Sequence, residues 1–249
     1  TGRRLLQPSR YTIRQAKGCG GNYLTNSSSL YRLSPLHSHH MDLGAVVADA
    51  AGWQLVQHYG SVEDEVWAVG ESAGICDITG RSAARVKSFD IDRVFGTLTP
   101  EIGSVAEDGD RIIARLTEEE ALVLGPPMAN GEWNGGVEQS GEPTRYVTDV
   151  TSGLTGLKIA GPRAREVIGS LTDVNVGESS IQDRSCSQVG FARIYGILIR
   201  LNVGTAPAYE LYVAREFGVY VWEVVIDSLG QGGVVPFGNE TLVQLEHKH

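Results

Sequence analysis

Residues 189–223 read VGFARIYGILIRLNVGTAPAYELYVAREFGVYVWE, and this stretch decides the fold class. Ile194 to Leu201 is a run of β-branched and aliphatic residues with little polarity, the composition of a buried strand. Asn202, Gly204 and Pro207 supply turn chemistry. Tyr209 to Val213 resumes a strand. From Glu216 to Leu229 apolar residues recur at Phe217, Tyr220, Val221, Val224, Val225 and Leu229, the spacing of one helix face. The order is strand, turn, strand, helix, and inside it sits one odd residue. Glu210 is an acid in a strand, between Tyr209 and Leu211. Such a carboxylate either faces solvent or is aimed at a ligand.

Outward from this stretch the same alternation holds. Tyr146–Ser152 and Gly156–Ala160 read as strands. Gly161-Pro162 opens a helix running to about Leu171, with proline in the first turn, where a missing N–H costs nothing. Residues 172–188 read as a polar connection. In the first half, Glu63–Ser72 reads as a helix with Val62, Val66 and Val69 on one face. Gly74–Ile78 and Ala84–Phe89 read as strands, and Asp92–Ile102 fits either element. Arg111–Leu116 and Ala121–Leu124 form a hairpin-like pair turning at Thr117–Glu120. Residues 125–143, rich in Gly, Pro, Asn and Glu, read as the main loop, and residues 1–33 as an extension. Strand pairs and helices without βαβ regularity predict an α+β fold.

Composition narrows the function classes. A chain of 249 residues with 41% hydrophobic and 20% charged residues has enough apolar sequence for a sizeable core. A formal charge of −9 argues against a general nucleic-acid binder, which needs a basic face. Three separated cysteines, Cys19, Cys76 and Cys186, make neither a disulfide framework nor a CxxC knuckle. No apolar run is long enough for a membrane span. Arg3, Arg4, Arg10, Arg14 and Lys17 precede the first acid, Asp42, which suits a transit-like or a flexible leader. The expected compartment is the cytoplasm, or the mitochondrial matrix in a eukaryote.

Few residues carry chemistry. His37, His39 and His40 cluster, and on a helix His37 and His40 would share a face, but no acid or cysteine at ligand spacing completes a metal site. No metal is expected. Asp108-Gly109-Asp110 is by default a surface turn; alternatively one carboxylate ends a strand and points into a cleft, where it stabilises a cation. GxGxxG, P-loop, GxSxG and HExxH motifs are absent. Glu210 is the strongest candidate. A carboxylate accepts two hydrogen bonds side by side, and a pterin or guanine edge offers that donor pair. Buried without such a partner it would be costly.

The chain resembles the folate-binding T-protein (aminomethyltransferase) superfamily, and most of all the T-protein-like module of the sarcosine oxidase α subunit and dimethylglycine dehydrogenases. The matching stretches are collinear over about 34–245. They are Ser34-Pro35-Leu36-His37 with Gly52-Trp53; Glu71 to Asp77, ESAGICD; and Ile159-Ala160-Gly161-Pro162. Tyr209-Glu210-Leu211 with Val221-Trp222-Glu223 and Pro236-Phe237-Gly238-Asn239-Glu240-Thr241-Leu242 complete the set. The resemblance implies two related subdomains, lobes near 34–145 and 146–245, around an opening that holds tetrahydrofolate. It implies a tetrahydrofolate-dependent methyl or aminomethyl transferase acting on an amine or related donor. Glu210 and Tyr209 would lie at the pterin, Asp110 would be the catalytic aspartate that orients the reactive folate nitrogen or stabilises the iminium-like one-carbon intermediate, and Asp108 would be a further cofactor contact. Three departures accompany it. The segment from Phe89 to Arg111 is compressed, the turn Asn202–Ala208 lacks the family's Glu, and the ending Glu246-His247-Lys248-His249 resembles a tag remnant, so the expected fold is the family's without its C-terminal β domain. A short relative, the sarcosine oxidase γ subunit, keeps the fold without catalysis. The alternative expectation is therefore a non-catalytic subunit or scaffold beside a flavoprotein or other protein subunit.

Overall fold

The computed structural model describes residues 31–128, 137, 145–177 and 180–247. The basic leader with Cys19 and most of the expected 125–143 loop lie outside these. The chain runs through β1 (Arg32–Leu33), α1 (His37–Asp42), β2 (Val46–Ala50), β3 (Trp53–His58), α2 (Val62–Glu71) and β4 (Ala73–Asp77). It continues through β5 (Ser82–Ser88), α3 (Ile91–Phe95), β6 (Val105–Asp108), β7 (Arg111–Arg115), β8 (Glu120–Gly125) and β9 (Arg145–Asp149). Then come β10 (Leu154–Ala160), α4 (Ala164–Leu171), β11 (Ser185–Phe191), β12 (Ile194–Arg200), β13 (Ala208–Ala214), α5 (Gly218–Asp227), β14 (Val234–Pro236) and α6 (Asn239–His247).

Among the described residues the strands form three sheets. A small one is ordered β1-β3-β2, a six-stranded one β11-β12-β13-β10-β4-β14, and a five-stranded one β6-β7-β8-β5-β9. Pairing is antiparallel except for β1 with β3 and β14 with β4. The class is α+β, as the alternation of strand pairs and helices predicts. Alternating side chains divide the core into layers. Tyr209, Leu211 and Val213 of β13 join Leu157 and Ile159 of β10 under α4 and α5, against Val167, Val221 and Trp222. Ala208 and Tyr212 point the other way and meet Ile112, Leu122 and Leu124 of the five-stranded sheet. The far face of that sheet packs Val86, Ile113 and Val123 against Ile91 and Phe95 of α3. Glu210 thus enters the space between the two larger sheets.

Local chemistry explains the elements that frame this space. Ser61 caps α2 by accepting from the Asp64 N–H at 3.1 Å, and Glu63, Asp64 and Glu65 complement its N-terminal dipole. Gly238 precedes α6 where a Cβ would lie 1.9 Å from the Gln57 carbonyl oxygen of β3, so only glycine lets α6 dock there. The Glu65 carboxylate then accepts from the Gly238 N–H at 3.0 Å and from the Thr241 hydroxyl, tying α2 to α6. Gly161, at φ +120°, lets the chain pass close to the Val69 and Ser72 carbonyls before α4.

Three sequence expectations change. The polar connection ends earlier than 188, because β11 begins at Ser185; its exposed Gln188 and partly exposed Ser185 and Ser187 mask the buried Cys186 and Val189. Asp92–Ile102 holds the one-turn helix α3, capped by Asp90, and a 3₁₀ turn. β1 falls inside the stretch read as an extension, paired with β3. No helix among the described residues is long and apolar enough to cross a membrane.

Candidate functional site

Antiparallel register places Glu210 of β13 directly opposite Lys158 of β10 on one side and Ile199 of β12 on the other. Lys158 is the one charged residue of its strand, and the pleat sends it to the same face as Glu210. The third member comes from the loop after β4. Arg81 donates its N–H to the Ile78 carbonyl at 3.1 Å, a turn that aims its side chain at β13. Arg81 Nη1 lies 2.9 Å from Glu210 Oε1 and 3.0 Å from Oε2. Lys158 Nζ is 3.4 Å from Oε1, and the Tyr212 hydroxyl donates to Oε2 at 2.8 Å. Lys158 Nζ also lies 3.7 Å from Glu246 Oε1 of α6. The Glu210 side chain is 2% exposed, Lys158 8% and Arg81 21%.

The electrostatics follow from this packing. Burial pushes the Glu210 carboxyl up, but Arg81, Lys158 and the Tyr212 hydroxyl outweigh burial and hold it below its ordinary range. Burial and then the Glu210 charge push the Tyr212 phenol well up. Glu210, Arg81 and Lys158 line a cavity of about 730 Å³, within the range of small-molecule sites. Among the described residues of its lining, Arg81 and Lys158 are cations and Glu107, Asp110, Glu210 and Glu246 are carboxylates.

The expected site residues separate in space. Glu210 and Asp110 line this one cavity. Asp110 is exposed and occupies the second central position of the two-residue β6–β7 turn; Gly109, at φ +57°, takes the first. Asp108 is not brought to the cavity lining. It ends β6, with its side chain 49% exposed, and pairs with Arg111 Nη2 at 2.6 Å. Tyr209 does not line it either: adjacent strand residues point to opposite faces, so it is fully buried under the helices. Arg81, Lys158 and Tyr212 are not among the residues that the sequence singles out. A lysine inside the apolar run Leu154–Ala160 was the available signal; its partner depends on a register that one sequence does not contain.

Within the histidine cluster, His40 does a different job. His40 Nε2 donates to Asp77 Oδ2 at 2.8 Å, its Nδ1 pairs with the Tyr59 hydroxyl at 2.8 Å, and Trp222 stacks edge-on at 4.9 Å. Asp77 also accepts from the backbone N–H and hydroxyl of Thr79, at 2.9 and 2.5 Å. This buried network fastens α1 to β4. Among the described residues no three His, Cys, Asp or Glu side chains gather as a metal group. Cys76 and Cys186 are free, buried thiols, the latter pushed up to about 12 by burial.

Residues 82–249 match the family model described as the GCVT N-terminal domain. An aminomethyltransferase of Streptomyces coelicolor is 27% identical over 229 residues, covering 85% of this chain and 61% of that protein. The sarcosine oxidase subunit alpha of a Corynebacterium species is 25% identical over 244 residues, 85% of this chain and 25% of that protein. The chain therefore spans about three-fifths of the first relative and a quarter of the second. The crystal structure of glycine cleavage system aminomethyltransferase T from Bartonella henselae superposes with a TM-score of 0.69 at 16% identity, covering 86% of this chain and 62% of that one. A chain of the heterotetrameric sarcosine oxidase from Corynebacterium sp. U-96 gives 0.55 at 12% identity, covering 88% and 98%. These two structures show the shared fold.

Proposed function

The chain belongs to the GCVT N-terminal domain family, and we propose on that premise that its cavity is a tetrahydrofolate site. The site would serve transfer of a methyl or aminomethyl unit from an amine or related donor. The observation that carries this reading is that Glu210 and Asp110, distant in sequence, line one ligand-sized cavity. Tetrahydrofolate, when bound, supplies the nitrogen that accepts the one-carbon unit. The residues fit it on one condition. Glu210 is ionised and faces the cavity, as a carboxylate holding two parallel N–H donors must. Its acceptor positions are engaged by Arg81, Lys158 and Tyr212, so Arg81 must give way. Asp110, at an exposed turn, would hold a proton or stabilise positive charge on the donor side.

Calorimetric titration with tetrahydrofolate tests the reading. Binding is expected, weakened by about 1.5–3 kcal/mol in Glu210→Ala, the range for a charged hydrogen bond. Absence of any heat at millimolar ligand, in wild type and in a variant lacking the Arg81 guanidinium, sinks it. Asp110→Asn is expected to retain binding and to lose turnover. Unchanged turnover removes Asp110 from the mechanism.

The engagement of Glu210 also favours a second reading: a non-catalytic module within an amine-oxidising complex with a flavoprotein or other subunit. The likeness to the sarcosine oxidase subunit alpha supports it. Co-purification with such a subunit, together with no folate binding, is the outcome that selects it.

A further inference from the structure

The contact between Arg81 and Glu210 is unlike a structural arginine–carboxylate clamp. A clamp sets two guanidinium N–H groups parallel on two oxygens. Here one nitrogen, Nη1, spans both oxygens, at 2.9 and 3.0 Å. The arginine comes from a loop rather than a strand, and its side chain is the most exposed of the three at 21%, against 8% for Lys158. Glu210 would not be orphaned by its departure, because Lys158 and Tyr212 approach from within the sheet. Both Arg81 and Glu210 line the same cavity.

We propose that Arg81 is an intramolecular occupant of the ligand subsite on Glu210, standing where a ligand's planar guanidine-like edge would pair. A 2-amino-4-oxopyrimidine ring carries an N–H and an exocyclic amine on one carbon unit, the same donor pattern as a guanidinium. Such an edge presents two parallel N–H groups to the carboxylate, a better geometry than the single spanning nitrogen of Arg81. Ligand entry and the outward swing of Arg81 are then one event, and the apparent affinity is reduced by the fraction of molecules in which Arg81 has already left. Arg81 thereby sets the ligand threshold of the site. The inference rests on the reading that this cavity takes a tetrahydrofolate-class ligand, and the probes below separate the two.

The experiment uses the full chain as wild type, Arg81→Ala, Arg81→Met, Glu210→Gln and the double variant Arg81→Ala/Glu210→Gln. Circular dichroism checks folding, and calorimetry is run with tetrahydrofolate and, separately, with methylguanidinium. Arg81→Ala is expected to bind tetrahydrofolate at least tenfold more tightly than wild type. It is also expected to gain methylguanidinium binding that wild type lacks, and the double variant to lose both gains. Arg81→Met, which keeps the length of the side chain, replaces Arg81→Ala if that variant fails to fold. Equal or weaker tetrahydrofolate binding in the arginine-free variants, with Glu210→Gln still reducing it, overturns the inference and leaves the folate reading standing. Glu210-dependent methylguanidinium binding with no tetrahydrofolate binding in any variant upholds the subsite and removes the folate reading. Binding of neither probe to folded arginine-free protein overturns both.

Discussion

A buried carboxylate is stable only if its partners offset the loss of water, and Glu210 has three. Lys158 is the partner that the sheet itself fixes, being opposite Glu210 in the β10–β13 register. Lys158→Met keeps the stem volume and removes the ammonium, so Glu210 retains only Arg81 and Tyr212. The expected cost is about 1.5–3 kcal/mol in urea denaturation, the range for a hydrogen bond to a charged group. A change within ±0.5 kcal/mol, as for ordinary surface positions, would show that the pair does not form in solution. At this scale the sequence exposes half of the site. Glu210 stands out because an acid interrupts an apolar strand, and Asp110 because Asp-Gly-Asp is a turn sequence just before the Arg111–Leu116 strand. Lys158 carries a weaker flag, one cation inside an apolar strand, and Arg81 carries none. A lysine in an apolar strand and an arginine after Gly80 gain meaning only from long-range register. Tyr209 adjoins Glu210 in sequence, and that adjacency puts it on the other face of β13.

The elements around the cavity depend on a few backbone approaches. Gly238→Ala would thrust a methyl group into the Gln57 carbonyl and the following His58 N–H, both backbone atoms that cannot rotate away. α6 would have to shift from β3 and loosen its ties to Glu65. We expect a loss of about 3 kcal/mol or more, the upper range for overpacking; thermal unfolding of the variant checks it, and an unchanged midpoint would mean that α6 is not docked as described. Long apolar elements were legible: β12, β13, α2 and α5 all lie within a few residues of their sequence reading. Short or half-polar ones were not. β6 has only Val105 buried, and β11 alternates buried residues with serine, glutamine and glycine. Such strands exist because neighbours supply hydrogen bonds, and local composition holds no trace of that.

At the scale of the whole molecule, the chain order and the sheet order diverge. β4 precedes every strand of the five-stranded sheet, yet it pairs with β10 and β14 in the six-stranded one. This crossing brings the Arg81 loop onto β13 and makes the buried charges part of the global stability. Glu210 and Asp77 are both held below their ordinary values of 4.5 and 3.8. For each, burial acts upward and the partners win: Arg81, Lys158 and Tyr212 for Glu210, His40 with Ser34 and Thr79 for Asp77. The unfolded chain therefore binds more protons than the native one between each depressed value and the ordinary one. Their contribution to stability is complete above about pH 4.5, falls as pH drops through that window, and is lost below both depressed values. Each group adds a slope of up to about 1.4 kcal/mol per pH unit inside its window. Glu210→Gln removes one of the two. It is expected to be less stable than wild type at pH 7, where the buried charge pair is lost, and to lose stability less steeply below pH 4.5. The gap between the two proteins should narrow as pH falls, measured by urea denaturation at pH 7, 5, 4 and 3.5. A gap that stays constant across this series would mean that Glu210 titrates alike in the folded and unfolded chains, and that Arg81 and Lys158 do not hold it ionised.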